Sequence, residues 1–540
     1  MTRRIYALLL GSALLTASAS TPDAARLESD ERTAVHVLNR TTIGPRPGDV
    51  ARVQQMGVER FIDEQLHPER IPDAGVAGRL DGFETLSLSS REIAQRYEIP
   101  AVQARRERQK EAGDKPVDPP SPPSPPQMAM DPERQRANLP LLELSQQRIL
   151  RAVYSDRQLD EVLTDFWFNH FNVDSRKGPA RYMLTEYERD AIRPHVLGRF
   201  RDLLGATAKS PAMLFYLDNW MSADPNGPHA EQVRPGAGAL GARLRQRRER
   251  AGQSAMPPPP PGQPAARNRP TGLNENYGRE LLELHTLGVD GGYTQKDVTE
   301  VARAFTGWSI QTPRLGGGYR FAPALHDDGV KTVLGHVIKA GGGEHDGEGV
   351  LDIVSRHPST ARFISTKLAR RFVSDTPPQS LVDRMAATFL KTDGDLRAVM
   401  TVLLTSREFL SPEADRAKVK NPFEFVVSAL RATNADLRNA IPVVRAVAQL
   451  GMPLYQCQPP TGYKDTADTW VNTGALVNRM NVASALASGN MPGVRLPDPP
   501  KPDAVVGGVL SETTRNTIAQ AKTPEQALAL ALGSPEFQRR

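Results

Sequence analysis

The sequence predicts a mostly α-helical fold, with one large multi-helix globular body and long Pro-rich loop inserts. Hydrophobic residues recur at helical spacing along almost the whole chain, and no run shows the sustained alternation of a half-buried strand. The 540 residues are 39% hydrophobic and 24% charged, so the chain can bury a substantial core. Helix starts also carry capping residues: in Asn421-Pro422-Phe423-Glu424 an amide, a proline and a carboxylate occupy the favoured positions.

The same periodicity gives the individual elements. Predicted helices cover residues 49–66, 141–154, 158–171, 194–208, 275–287, 295–305, 359–373, 379–390, 396–409, 422–432 and 472–487. The glycines of Gly288-Val289-Asp290-Gly291-Gly292 can stop one helix and turn the chain, so 275–305 is predicted to be an αα-hairpin.

Two Pro-rich segments interrupt the helical pattern. Residues 115–130 and 222–270 contain too few apolar side chains to offset the entropy of ordering them, which favours exposed, disordered inserts. A Pro-rich ligand for an aromatic groove is the functional alternative. The predicted organisation is a signal peptide at 1–19, a helical domain at 20–500, and a C-terminal extension with a short helix at 501–540.

The charge distribution argues against nucleic-acid binding. The formal charge is +6, but the segment 222–270 alone holds eight arginines against three acidic residues. With two more arginines in the leader, these residues account for the whole positive surplus, so no basic face is expected on the folded body.

The N-terminus has the layout of an export signal. Arg3 and Arg4 precede an apolar run, and Ala17-Ser18-Ala19 offers a small-residue cleavage site. No later stretch approaches 18 uninterrupted apolar residues, so no transmembrane segment is expected. These features predict an exported protein, periplasmic or secreted. The single cysteine allows no intramolecular disulfide.

A long set of motifs resembles the bacterial domain of unknown function 1800 family. The motif-bearing segments are 166–171, 216–219, 274–289, 292–294, 302–308, 326–327, 357–358, 361–364, 420–425 and 459–463. The resemblance covers about 34–489 and implies an exported, mostly helical protein, often encoded beside a sulfatase-like protein. It implies no activity, and it makes a sulfatase-like protein the expected partner.

Acidic side chains of the predicted hairpin form the first candidate site. At about 100° per residue on a helix, Asn276, Glu280 and Glu283 share one polar face. Two carboxylates one turn apart can hold a hard cation or divide acid and base roles, and the alternative is a solvated face. His285 lies away from both glutamates, which favours packing against the buried stripe.

The second candidate group is rich in histidine and aspartate. His326 and Asp327 are followed within about thirty residues by further histidines and by Asp346. Imidazole with carboxylate suits zinc, iron or manganese, and Asp-rich loops suit calcium, so a divalent metal is the one cofactor considered. No spacing matches a known closed site, and polar loop residues remain the alternative.

Two further groups offer substrate contacts. Trp167 and His170 share a helix face that is most simply core, whereas Asn169 beside them is less suited to a core and suggests a pocket edge. Arg362 on a later helix can bind an anionic group or form an ion pair.

The leading functional hypothesis is therefore an exported partner of a sulfatase-like protein. The alternative is a metal-dependent enzyme acting on an extracellular polymer or its fragments. Its catalytic residues would be Glu280, Glu283, His326 and Asp327. Its substrate contacts would be Asn276, Arg362, Trp167 and His170.

Overall fold

A computed structural model describes residues 29–111, 132–227, 272–506 and 510–540. The predicted signal peptide, the predicted insert 115–130 and residues 228–270 of the second insert lie outside these ranges. Within them the chain is mostly helical, which confirms the predicted fold class.

The α-helices are distributed along the whole described chain. In the first half they are Glu31–Thr41, Asp49–Met56, Val58–Leu66, Ala74–Leu80, Ser90–Ile93, Ile99–Glu111, Pro132–Tyr154, Gln158–His170, Leu184–Glu186, Phe200–Lys209 and Pro211–Tyr216. In the second half they are Asn276–Glu280, Gln295–Ala304, Glu344–Ser355, Pro358–Phe372, Gln379–Lys391, Leu396–Leu404, Pro422–Ala432, Ile441–Gln449, Ala467–Trp470, Thr473–Ala487, Pro502–Val506, Glu512–Ala519, Pro524–Gly533 and Pro535–Gln538. Three π-helical turns continue neighbouring α-helices: Ala94–Glu98, Tyr187–Ile192 and Leu281–Thr286.

Local capping chemistry explains where several helices begin. The Asn421 side chain accepts a hydrogen bond from the Glu424 amide, and Glu424 accepts one from the Asn421 amide, as the sequence predicts. One expected helix is divided: residues 49–66 form two helices because Gly57, at φ 90°, breaks the rod.

Strands are few and short. Three antiparallel pairs join Trp308–Ile310 to Tyr319–Phe321, Lys331–Val333 to His336–Ile338, and Asp436–Leu437 to Val494–Arg495. Strands of two or three residues are too short to produce a recognisable alternation, which is why the sequence pattern gave no sign of them.

One continuous hydrophobic core joins the N-terminal, central and C-terminal helices. The core is unusual in burying several basic side chains, among them Arg40, Lys331, Arg371 and Arg479. Buried charges of this kind require partners, and those partners define the two regions considered below.

The C-terminal segment packs onto the body through four helices. Leu528, Ala531 and Leu532 of helix Pro524–Gly533 are fully buried in the common core. Arg540 Nε lies 3.0 Å from a Glu424 carboxylate oxygen. Within the described ranges, no helix combines the length and apolar character that membrane crossing requires.

Candidate functional site

The acidic face of the αα-hairpin is only partly enclosed. Asn276 is exposed, and its amide donates to the Leu217 carbonyl at 3.3 Å. Glu283 accepts a hydrogen bond from the Tyr293 hydroxyl at 3.4 Å. Glu280 is half-buried; burial, and then the Glu283 charge, raise the pKa of its carboxyl. A π-helix starts at Leu281. The rotation between successive side chains that is expected for an α-helix therefore does not apply beyond Glu280.

His326 belongs to a buried ionic group. Its Nδ1 lies 2.8 Å from the Thr306 carbonyl oxygen, and its Nε2 lies 3.2 Å from Asp346 Oδ2. The Lys331 ammonium donates to the same Asp346 oxygen at 2.6 Å. Both ring nitrogens thus lie within hydrogen-bond distance of protein oxygens. The structure thus joins two sequence motifs that carry His326 and Asp346, with a lysine between them.

Asp327 is held by an arginine. Arg303 donates to both of its carboxylate oxygens, at 2.7 and 3.0 Å, and this contact lowers the pKa of Asp327 although burial opposes the effect. Protein cations therefore already neutralise Asp327 and Asp346, and these donors do not fit a metal centre. Among the residues that the structure describes, no three His, Cys, Asp or Glu side chains are grouped closely enough to hold a metal ion.

Two predicted substrate contacts have structural roles. Trp167 is fully buried, and its Nε1 donates to the Val196 carbonyl at 3.1 Å. Arg362 is exposed and pairs with Asp383 at 2.7 Å, and it is not part of the cavity described next.

His170, by contrast, lines a half-open cavity of about 270 Å³ with polar and apolar walls, here called the His170 cavity. Its walls come from three places in the chain: helix Gln158–His170, helix Pro358–Phe372 and the loop before Trp470. The lining residues are Asp165, Phe166, Asn169, His170, Lys367, Arg370, Arg371, Asn421, Met452, Thr461, Tyr463, Lys464, Asp465, Thr466 and Trp470.

The hydrogen bonds of His170 fix its tautomer. Its Nε2 lies 3.1 Å from the His285 carbonyl oxygen, which can only accept, so Nε2 carries the proton. Nδ1 is then an acceptor, and the Lys367 ammonium donates to it at 2.9 Å. Burial, and then the Lys367 charge, hold the pKa of His170 well below its usual range, so the imidazole is neutral.

Lys367 is the exceptional charge of this site. Its one hydrogen-bond acceptor in the described chain is neutral His170, and no carboxylate there forms an ion pair with it. Burial, and then the positive charge of Arg370, lower the pKa of the Lys367 amine to about 8. Two of its three N–H groups therefore remain for a ligand in the cavity.

The remaining charges give the cavity a positive excess. Four basic side chains and two carboxylates line it. Arg371 engages both carboxylates, at 3.5 Å from Asp165 and 3.7 Å from Asp465, and it also pairs with Glu424 at 2.7 Å. Lys367, Arg370 and Lys464 have no ion pair with any described carboxylate.

A clamp on Asn169 holds the loop that closes the cavity. The Asn169 amide donates to the Tyr463 carbonyl at 2.8 Å, and its oxygen accepts from the Tyr463 N–H at 2.7 Å. Gly462 at φ +71° makes this approach possible, because a Cβ there would lie 2.2 Å from the Asn169 backbone oxygen. Asn169 is thus at a pocket edge, as its polarity in an apolar helix suggested.

The αα-hairpin supports His170 and the helix Pro358–Phe372. Its first helix ends at Thr286, which leaves the His285 carbonyl free to accept from His170. Gly288 at φ +86° follows, and a Cβ there would lie 2.8 Å from the Phe363 ring, so this glycine allows the hairpin to pack against helix Pro358–Phe372. Burial lowers the pKa of His285 to about 3.

Separate motifs thus meet at one place. The segments 166–171, 274–289, 361–364, 420–425 and 459–463 all supply residues to the His170 cavity or to its immediate support. Lys367 was missed by sequence reasoning. Its spacing of four from Phe363 and three from Arg370 places it on the face that packs here, but nothing in the sequence connects it to His170.

A second, larger groove of about 870 Å³ lies beside helix Ile99–Glu111. Two of its arginines are already paired, Arg181 with Glu98 and Arg176 with Asp174 at 3.0 Å. The His170 cavity, with its unpaired ammonium, is the better candidate for binding or chemistry.

Comparison with known proteins agrees with the motif pattern. A family model described as "Protein of unknown function (DUF1800)" matches residues 36–539. The match includes most of the segment that sequence reasoning assigned to a C-terminal extension. No curated protein and no solved structure is significantly similar to the chain.

Proposed function

The chain belongs to the family described as "Protein of unknown function (DUF1800)", and we propose that it binds an anionic small molecule in the His170 cavity. The observation that carries this proposal is the Lys367 ammonium, which lines the cavity, donates its hydrogen bond to a neutral imidazole, lies over the Phe363 ring and lacks a carboxylate partner in the described chain. Arg370 and Lys464 add positive charge to the same walls. An oxyanion is the ligand chemistry that such donors recognise.

The ligand fills a gap in the hydrogen bonding of the site. Lys367 lines a cavity of about 270 Å³, and two of its N–H groups have no acceptor in the described chain. A hydrogen bond to a charged group contributes about 1.5–3 kcal/mol, so loss of Lys367 should weaken binding roughly ten- to a hundredfold.

Thermal-shift and calorimetric titrations with sulfate, phosphate and acetate, at constant ionic strength in chloride, test the proposal. The unsubstituted protein is expected to be stabilised by at least one of these anions, and Lys367→Met should lose that response. Lys339→Met, at an exposed lysine, is the matched control. Equal responses of Lys367→Met and the unsubstituted protein would refute the proposal.

We also propose that the protein is exported and acts with a sulfatase-like protein. Apart from the family resemblance, one surface supports a protein partner: Val471, Leu476, Val477 and Met480 are exposed directly after Trp470, which lines the cavity. Of the three carboxylates predicted for the metal-dependent alternative, Asp327 is paired with Arg303, and the Asp346 carboxylate near it is paired with Lys331.

Binding between the purified proteins tests the partner proposal. Val477→Lys should weaken a complex with a sulfatase-like protein from the same cell by tenfold or more, whereas Val337→Lys, at a more exposed valine elsewhere, should not. Absence of a complex at micromolar concentrations, or identical behaviour of the two variants, would count against it.

A further inference from the structure

The surroundings of Lys367 differ from those of Lys331 and Lys418, two other enclosed lysines. Buried Lys420 also has no ion pair in the described chain, but its ammonium lies over the Phe537 ring and it does not line the His170 cavity. Lys331 donates to Asp346 at 2.6 Å, and Lys418 pairs with Asp375 and Asp465. A carboxylate partner keeps an ammonium protonated and unreactive. Lys367 instead donates to the neutral Nδ1 of His170, and the charged residue nearest to it on its own helix is Arg370.

The titratable groups around Lys367 lie on its own helix and on three other elements. Helix Gln158–His170 presents neutral His170, and the hairpin presents buried His285, whose pKa is lowered to about 3. The closing loop presents Lys464 and Asp465, and Arg370 and Arg371 share the helix of Lys367. Asp465 favours the ammonium, but burial and Arg370 outweigh it and lower the pKa of Lys367.

These contacts also aim the amine. The His170 ring is fixed by the His285 carbonyl, so its acceptor nitrogen holds Lys367 Nζ at 2.9 Å in a defined position. Lys367 also lines the cavity of about 270 Å³. A lysine that is desolvated, close to another cation and open to a cavity is the arrangement of an activated amine nucleophile.

We propose that Lys367 forms a Schiff base with a small anionic carbonyl compound, such as an oxo acid, whose acid group is held by the basic walls of the His170 cavity. This inference rests on the anion site proposed above and assigns its ligand class. The nitrogen attacks the carbonyl carbon, the C=O oxygen leaves as water, and a C=N bond replaces the C–O bond. Two hydrogens of the ammonium leave in that water, so the product is a protonated imine and no oxidant or reductant is needed.

Trapping with glyoxylate and borohydride tests the inference on the full chain. Reduction of the imine leaves a carboxymethyl group on the modified lysine, which peptide mapping by mass spectrometry locates. We expect Lys367 to be modified at least about tenfold faster than Lys339 at pH 7, because Lys339 is exposed and outside the cavity and an amine in water is almost entirely protonated at that pH. Modification of Lys367 should rise with pH to a midpoint near its pKa of about 8.

Variants separate the two proposals. Lys367→Arg keeps a cation and should retain anion binding, but it cannot form the adduct. Modification spread evenly over surface lysines, or no faster at Lys367 than at Lys339, would overturn the Schiff-base inference while anion binding by the unsubstituted protein survives. If anions also fail to stabilise the unsubstituted protein, both proposals are wrong.

Discussion

At the scale of single residues, buried histidines and lysines set the pH response of the molecule. His36 is enclosed in the core, and its Nε2 donates to the Phe409 carbonyl at 2.7 Å. Burial, and then the Arg40 charge, lower the pKa of His36 to about 4. The unfolded chain takes up this proton near pH 6.5, whereas the folded chain does not until about pH 4, so the stabilising contribution is present above pH 6.5 and is lost as the pH falls.

We therefore expect the free energy of unfolding to fall by about 2 kcal/mol from pH 7 to pH 5 because of His36. His36→Gln keeps a donor for Phe409 and should flatten the pH dependence in that window by this amount. Urea denaturation at a series of pH values measures the effect, and His345→Gln, at an exposed histidine, is the control. Identical slopes for His36→Gln and the unsubstituted protein would contradict the assignment.

Lys331 offers a test of the buried ionic group. Its side chain is fully buried and donates to Asp346, so Lys331→Met leaves that carboxylate with only the His326 contact. Removing one member of a buried pair typically costs about 3–5 kcal/mol. Chemical denaturation should show that Lys331→Met lowers the free energy of unfolding by about 3 kcal/mol, whereas Lys339→Met at the surface lowers it by less than about 0.5 kcal/mol. A loss below about 1 kcal/mol would mean that the pair is not formed as described.

At the scale of secondary-structure elements, the Asn169 clamp connects a helix end to the closing loop. Asn169→Ala removes both hydrogen bonds to Tyr463 and should cost about 2 kcal/mol of stability. Asn169→Asp removes only the donor, so the Tyr463 N–H keeps its acceptor. Hydrogen exchange should therefore accelerate at the Tyr463 amide in the alanine variant and much less in the aspartate variant. Asn478→Ala on an exposed helix face serves as the control.

Helices whose bounds are set by residues within the helix itself could be predicted from the sequence. The helix Pro422–Ala432 has the predicted bounds because its cap, its N1 proline and its apolar stripe lie within eleven residues. The π-helix Leu281–Thr286 was not predictable, since the hydrophobic pattern there also fits an α-helix. Helix Pro358–Phe372 was predicted within a residue, yet the role of Lys367 was not, because its partner His170 lies 197 positions away in the chain.

The candidate site shows the same division. His170 was singled out from its motif, and the cavity contains it. His326 and Asp346 were grouped by composition and lie 3.2 Å apart, but Lys331 takes the position that a metal ion would need. Composition records which ligands are near one another in the sequence; only packing decides whether a cation of the protein itself neutralises them.

At the scale of the whole molecule, Glu424 joins the cavity support to the C-terminal helices. It completes the cap of helix Pro422–Ala432 and pairs with Arg371 at 2.7 Å and Arg540 at 3.0 Å. Arg371 in turn contacts Asp165 and Asp465 of the His170 cavity. The C-terminal segment is thus connected electrostatically to the back of the cavity.

Glu424→Gln should therefore weaken distant parts of the protein together. The substitution removes the carboxylate that pairs with two buried arginines. We expect the free energy of unfolding to fall by about 3–5 kcal/mol. Because Arg371 and Arg540, against the effect of burial, lower the pKa of Glu424 to about 2, its contribution is present above about pH 4.5 and is lost as the pH falls towards 2. The variant should lack that part of the acid dependence. Glu408→Gln, which breaks a partly exposed pair with Arg384, should cost less than about 1 kcal/mol.

The same variant measures how far the molecule folds as one unit. If the core is continuous, far-ultraviolet circular dichroism and the release of an anion from the His170 cavity should report one unfolding transition, shifted equally by Glu424→Gln. If the C-terminal helices instead separate first, the substitution should lower only their protection from hydrogen exchange and leave anion release unchanged. The contacts of Arg540 favour the first outcome, because its guanidinium pairs with Glu424 at 3.0 Å and donates to the Arg371 carbonyl at 3.1 Å, and Arg371 contacts both carboxylates of the His170 cavity.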